Sequence, residues 1–114
     1  MALALNNYRT ITGTATQSTT VVYTAPTGYS AIILLAQATN IGSSTQTIDF
    51  SHRRTVSGVT NTTEMLKSFP VPANDAANLL TGKLVLETGD SLVLTSTSNT
   101  DVKYISSILE TLNQ

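Results

Sequence analysis

Tyr29-Ser-Ala-Ile-Ile-Leu-Leu-Ala-Gln-Ala-Thr-Asn40 is the most apolar stretch of the chain, and its reading decides the fold. It is too short to cross a membrane, which takes ~20 residues in a helix. It follows Ala25-Pro-Thr-Gly28, where proline presets φ at the second position of a type I turn and glycine suits the fourth. A turn leading into an Ile-rich run reads as a strand. The centre, Ala31 to Ala36, is continuous rather than alternating, and a continuous run predicts burial on both faces. Ile33 and Leu35 are therefore both read as core. A two-layer sandwich has only one interior, so the second face needs a cover. Ala2 to Leu5 or another subunit can supply it.

Outward from this strand, period-2 segments recur every ~10–12 residues between turn signals, the spacing of an all-β sandwich or barrel. Tyr8–Thr16 alternates with Tyr8, Thr10, Thr12 and Thr14 on one face. Thr19–Thr24 places Val21 and Tyr23 on one side and Val22 on the other. In 47–54, Ile48, Phe50, His52 and Arg54 oppose Thr47, Asp49, Ser51 and Arg53. Val56 to Thr62, broken at Ser57-Gly58, reads as a loop or hairpin tip. Thr63–Phe69 is a short strand ended by Pro70-Val71-Pro72, since proline cannot donate to a ladder. Ala73 to Asn78 reads as one helical turn capped by Asn74 or Asp75. Strands at 79–87, 91–98 and 102–109 follow, and Glu110 to Gln114 is a tail. The sum is an all-β chain: an antiparallel β-sandwich of about eight strands, jelly-roll-like or immunoglobulin-like. It forms a single domain over 1–114, with 1–7 as a possible N-terminal arm.

Composition narrows the function. Only 11% of residues are charged, less than half the usual ~25%. Hydroxyls replace them: 21 Thr and 12 Ser among 114 residues, a trade that favours strands over helices. The chain holds no cysteine, which excludes disulfides, thiolate zinc sites and a cysteine nucleophile. Net charge is −1, and the one adjacent basic pair is Arg53-Arg54. A phosphate-backbone binder needs more clustered cations than this, so no nucleic-acid partner is expected. No apolar run reaches the length of a membrane span, and no membrane partner is expected. Met1 to Leu5 is apolar but lacks the basic start and the length of a signal peptide.

The reactive residue types form no catalytic pattern. His52 is the single histidine, and Asp49, three residues away, points to the opposite face of a strand. No partner for His52 is evident. The seven acidic residues are scattered. Glu87 and Asp90 flank a turn and are placed to share a cation, but no calcium loop pattern accompanies them. Catalytic, cofactor and metal residues are therefore predicted to be none. A charge-poor, hydroxyl-rich β module suits a protein–protein surface, whose core is depleted in charge. The candidate interface residues are Ala2, Leu3 and Leu5 in the arm, Arg53 and Arg54 at a rim, and Leu109 and Leu112 near the C-terminal end. Apolar residues at both ends, where termini are ordinarily polar and loose, point to a homo-oligomer of closed symmetry or to binding on a repeating lattice.

Four motifs carry a resemblance: Tyr23-Thr-Ala-Pro-Thr-Gly-Tyr29, Phe69-Pro-Val-Pro-Ala-Asn-Asp75, Leu80-Thr-Gly-Lys-Leu-Val-Leu-Glu-Thr-Gly-Asp-Ser91 and Ser107-Ile-Leu-Glu-Thr-Leu-Asn113. In their order and spacing the chain resembles small virion structural proteins of tailed bacteriophages, those of contractile-tailed cyanophages in particular. The resemblance implies a β-sandwich accessory subunit of the particle, on the head, neck or tail; the expected role is to decorate or cement it, with the head surface ahead of the neck or tail. It implies partners among major capsid, neck or tail subunits, no enzymatic activity, and a place in the virion after assembly in the host cytoplasm. The alternative class is a receptor- or glycan-binding module, which predicts a pocket rimmed by Tyr or Asp and a measurable sugar affinity.

Overall fold

A computed structural model describes residues 5–113. Nine strands follow in order: β1 (Asn6–Thr14), β2 (Thr20–Thr24), β3 (Tyr29–Asn40), β4 (Gln46–Val56), β5 (Val59–Val71), β6 (Ala76–Asn78), β7 (Leu84–Leu86), β8 (Ser91–Ser96) and β9 (Val102–Leu112). No helix occurs among the described residues.

All pairings are antiparallel and run from the chain ends inward: β1 with β9, β2 with β8, β3 with β6 and β7, β4 with β5. β6 and β7 lie end to end on the same edge of β3, so they act as one interrupted strand and leave eight strand positions. Two further pairings, β3 with β9 and β4 with β8, roll this long hairpin into two sheets. One has the order β1-β9-β3-β6, with β7 also on β3. The other has the order β2-β8-β4-β5. This is the jelly-roll order rather than the immunoglobulin one. The core lies between the sheets and includes Phe50, Ile33, Ile48, Leu86, Leu92, Leu94 and Ile108, each at most 1% exposed.

The continuous apolar run at 31–36 is not buried on both faces. A β-bulge between Ile33 and Leu35 inserts Leu34 into β3. Ala31 and Ile33 point inward before it, and Ala36, Ala38 and Asn40 point inward after it. Leu34 and Leu35 are 40% and 41% exposed, so Leu35 is not core. One extra residue shifts a period-2 pattern by one, which makes two alternating halves look like a single apolar run. A second bulge, in β2, separates Val21 from Tyr23. Val21 is exposed, Val22 packs on the core, and Tyr23 is buried, so Val21 and Tyr23 do not share a side.

Three local expectations are also corrected. Residues 73–78 form no helical turn. Asp75 N–H donates to Pro72 O at 3.1 Å, Asn74 has φ +60°, and β6 begins at Ala76. β5 is the long arm of a hairpin turning at Ser57-Gly58, and it continues to Val71 through Pro70. It is an edge strand, where a missing N–H can face solvent. The turn before β3 closes from Tyr29 N–H to Pro26 O at 3.0 Å, with Gly28 at φ +85°. That geometry is type II and lies one residue later than the type I turn expected at 25–28.

Candidate functional site

Residues facing each other in an antiparallel ladder project to the same side of the sheet. The registers of β1, β9, β3 and the β6/β7 edge therefore define rows across the outer face of the first sheet. One row is Tyr8, Leu109, Ile32 and Val85, apolar on every strand. The next is Thr10, Ser107 and Leu35, and after it Thr12, Ile105, Gln37 and Asn78. Thr14, Lys103, Thr39 and Ala76 close one end. Asn6, Thr111 and Ser30 close the other. Lys103 is the single charge in these five rows. Tyr8 is 75% exposed and Val85 56%, with Leu35 and Ile105 close to 40%. Four of the eleven large exposed apolar side chains among the described residues thus share one face. Four strand positions at ~4.8 Å and nine residues at ~3.3 Å make it roughly 600 Å². A sheet face with a single charge and one row apolar on every strand has the make-up of an interaction surface, whose core is depleted in charge.

The outer face of the second sheet differs. Asp49, Ser51 and Arg53 of β4 join Glu64 and Lys67 of β5 and Thr95 of β8 around a shallow polar hollow. Charges of both signs sit there, and the Arg53 Nε is buried without a bond.

Two charged clusters lie at one end of the sandwich, where Tyr23 and His52 flank Leu92 in a single row of the second sheet. Asp90 is 2% exposed. It accepts bonds from Arg54 Nε at 2.9 Å, Arg54 Nη2 at 2.6 Å and the Glu87 N–H at 3.0 Å, and it pairs with His52 Nε2 at 3.1 Å. Arg54 also reaches Glu87 Oε2 at 2.8 Å. The guanidinium first, then His52 and the Glu87 N–H, outweigh burial and hold the Asp90 carboxyl at about 2. Glu87 and Asp90 thus share a cation, and that cation is Arg54. The partner of His52, not evident in the sequence, is Asp90; Asp49 instead accepts from the Ser68 N–H. At the other cluster, Glu110 is 3% exposed rather than part of a loose tail. It accepts from Tyr23 Oη at 2.5 Å, Asn7 Nδ2 at 3.1 Å and Arg9 Nη1 at 3.2 Å. Burial would raise its carboxyl; these donors overcome that and hold it below the ordinary carboxylate range. Burial, then the bond to Glu110, pushes the Tyr23 phenol up.

Among the described residues no group of three or more His, Asp or Glu is placed to hold a metal. Of the predicted interface residues, Leu109 lies in the apolar row with Tyr8, Ile32 and Val85. Leu112 is half-buried at the end of β9, its N–H bonded to Leu5 O at 2.8 Å, and Leu5 is 63% exposed. Ala2 and Leu3 lie outside the described residues. Arg53 is on the opposite face of the molecule, and Arg54 is committed to Asp90, so neither arginine rims the face that holds Leu109. Tyr8, Ile32, Leu35, Val85 and Ile105 belong to that face and were not anticipated.

No protein-family model matches the chain, and no curated protein matches it in sequence. Solved structures share its fold. A protein of the infectious bursal disease virus particle aligns with TM-score 0.60 and 9% identity, over 96% of this chain and 32% of that one. A chain of the acid-stable capsid of Helicobacter pylori bacteriophage KHP30 aligns with TM-score 0.57 and 10% identity, over 97% and 90%. A chain of the disulfide-linked pili that form Bacillus endospore appendages aligns with TM-score 0.53 and 14% identity, over 100% and 97%. At such identities the likeness is one of fold.

Proposed function

We propose that this chain is a non-enzymatic structural subunit of a tailed-phage particle, which it decorates or cements through the outer face of the β1-β9-β3 sheet. The head surface is its expected place, ahead of the neck or tail. The observation that carries the assignment is the apolar row Tyr8-Leu109-Ile32-Val85, bordered by hydroxyl rows and a single lysine. A surface low in charge avoids the large cost of desolvating ions, and each of its hydroxyls can either donate to or accept from a partner group. Its area of roughly 600 Å² falls short of the ~800 Å² that each partner buries in a standard stable interface. It suits one contact among several on a repeating lattice better than a lone tight complex. The phage-capsid and viral-particle chains that share the fold support this assignment. The disulfide linkage named for the endospore pili has no counterpart in a sequence without cysteine.

Mass-spectrometric quantification of the chain in purified virions tests the proposal. Hundreds of copies per particle fit decoration of the head, and about 5–12 copies fit neck, collar or baseplate. Absence from the particle, together with measurable affinity for a glycan array, would replace the proposal with a glycan-binding module.

A further inference from the structure

Between the free edge of β5 and the interrupted β6/β7 edge, the side of the sandwich is open. A groove of about 320 Å³ lies there; Met65, Leu66, Leu79, Leu80 and Leu84 form its apolar lining, and polar residues of 78–83, Lys83 among them, complete it. It exists because residues 79–83 leave the ladder where β3 bulges at Leu34, so no strand covers the gap between β6 and β7. Its volume suits two or three large aliphatic side chains.

The sequence contains a segment of matching chemistry. Met1-Ala-Leu-Ala-Leu5 alternates large and small residues. In an extended chain Met1, Leu3 and Leu5 fall on one face and the two alanines on the other. Such a segment offers a row of apolar knobs with a narrow back, the pattern by which an extended peptide fills a groove beside a strand edge. The segment joins the body at Leu5, whose carbonyl bonds Leu112 at the β1 edge. In the sheet order β1 and the β6/β7 edge are on opposite sides, three strand spacings or ~14 Å apart. The groove is also displaced along the strands: Asn6 aligns with Ser30 through Thr111, whereas Leu84 aligns with Ile33 and Leu79 with Ala36. Five residues reach at most ~17 Å. A path around the sandwich to the chain's own groove exceeds that reach.

We infer that residues 1–5 of one copy seat in the Met65/Leu80/Leu84 groove of a neighbouring copy, joining copies edge to edge in a head-to-tail series. Such a contact is heterologous, so it closes into a ring when the rotation per copy permits. It leaves the apolar sheet face of every copy free for the particle, and it deepens the assembly proposed above by naming one contact within it.

The test uses two variants and sedimentation analysis at micromolar concentration. Deleting 1–4 removes the arm and keeps the groove; Leu80→Glu fills the groove and keeps the arm. The full chain is expected to sediment as an oligomer and each variant as a folded monomer. An equimolar mixture of the two has one intact arm facing one intact groove, so it is expected to yield a heterodimer and nothing larger. Should Leu80→Glu fail to fold, a fluorescent MALALNN peptide titrated against the arm-deleted chain is the second readout. Saturable binding that shifts amide resonances of Met65 and Leu84 is expected. Oligomers that persist without residues 1–4, or a peptide that does not bind, would overturn the inference. Arm-dependent oligomers that fail to bind stripped particles would leave it standing and remove the particle assignment instead.

Discussion

At the scale of single residues, burial and charge make sharp and separable demands. Ile33 is fully buried, and a lone carboxylate there costs several kcal/mol, comparable to the stability of a domain this size. Ile33→Asp is expected to abolish soluble folding. Leu35, read from sequence as its equivalent, projects from the outer face, so Leu35→Asp should give a soluble chain with a cooperative melt. Thermal scans of both variants check the pair, and equal damage would mean the bulge at Leu34 is absent. Asp90 makes a different prediction. Its folded carboxyl titrates at about 2, below the ordinary 3.8, so its contribution is fully present above about pH 4 and is lost as pH falls toward 2. Asp90→Asn should lower Tm at pH 7 by roughly 5–10 °C, for about 1–2 kcal/mol lost from bonds to a charged acceptor. The variant should also show a shallower fall in Tm between pH 4 and pH 2 than the parent. The sequence marked Glu87 and Asp90 as placed to share a cation, but it showed neither that Arg54 is that cation nor that Asp90 partners His52. His52, Arg54 and Asp90 lie 36 and 38 residues apart, and only the β4–β8 register brings them together.

At the scale of elements, the sequence was most legible where period and punctuation agreed. The bounds 29–40 of the central strand were read correctly because a Pro-Gly turn precedes it and a Gly-Ser loop follows. Facing alternation in β4 was also right: His52 and Arg54 share one side, and Arg53 takes the other. Legibility failed where a bulge or an edge replaced regular pairing. Two bulges shifted phase within β2 and β3, and Pro70 ended a strand on paper that an exposed edge lets continue. Glu110 looked like tail because a buried carboxylate carries no apolar signature. Its donors, Asn7, Arg9 and Tyr23, come from the other end of the chain. The bulge at Leu34 makes its own test. Leu34→Ala, at a 40% exposed position, should cost about 1 kcal/mol or less. Deletion of Leu34 removes the extra residue and turns Ala36, Ala38 and Asn40 to the wrong face, so the chain should not fold. Solubility and near-UV circular dichroism distinguish the two outcomes.

At the scale of the molecule, the rolled hairpin places two unlike surfaces back to back. The β1-β9-β3 sheet shows solvent an apolar row set among hydroxyls, and the β2-β8-β4-β5 sheet shows charges of both signs. Composition announced a charge-poor interaction module. It did not say which face, because exposed rows such as Tyr8-Leu109-Ile32-Val85 are assembled from segments up to 101 residues apart by register alone. The arginine pair drew attention in sequence as the densest charge, yet one arginine faces the opposite side and the other is held by Asp90. The most direct check of the particle-docking face is a binding assay on stripped particles with two surface variants beside the parent chain. Tyr8→Glu/Ile105→Glu places two charges on the apolar face at positions that bury little, and Val21→Glu/Thr95→Lys alters the other sheet to the same extent. The first variant should remain folded and lose binding by at least ~100-fold, while the second binds like the parent. Parental binding by the first variant, or loss of binding by the second alone, would move the docking surface to the other sheet.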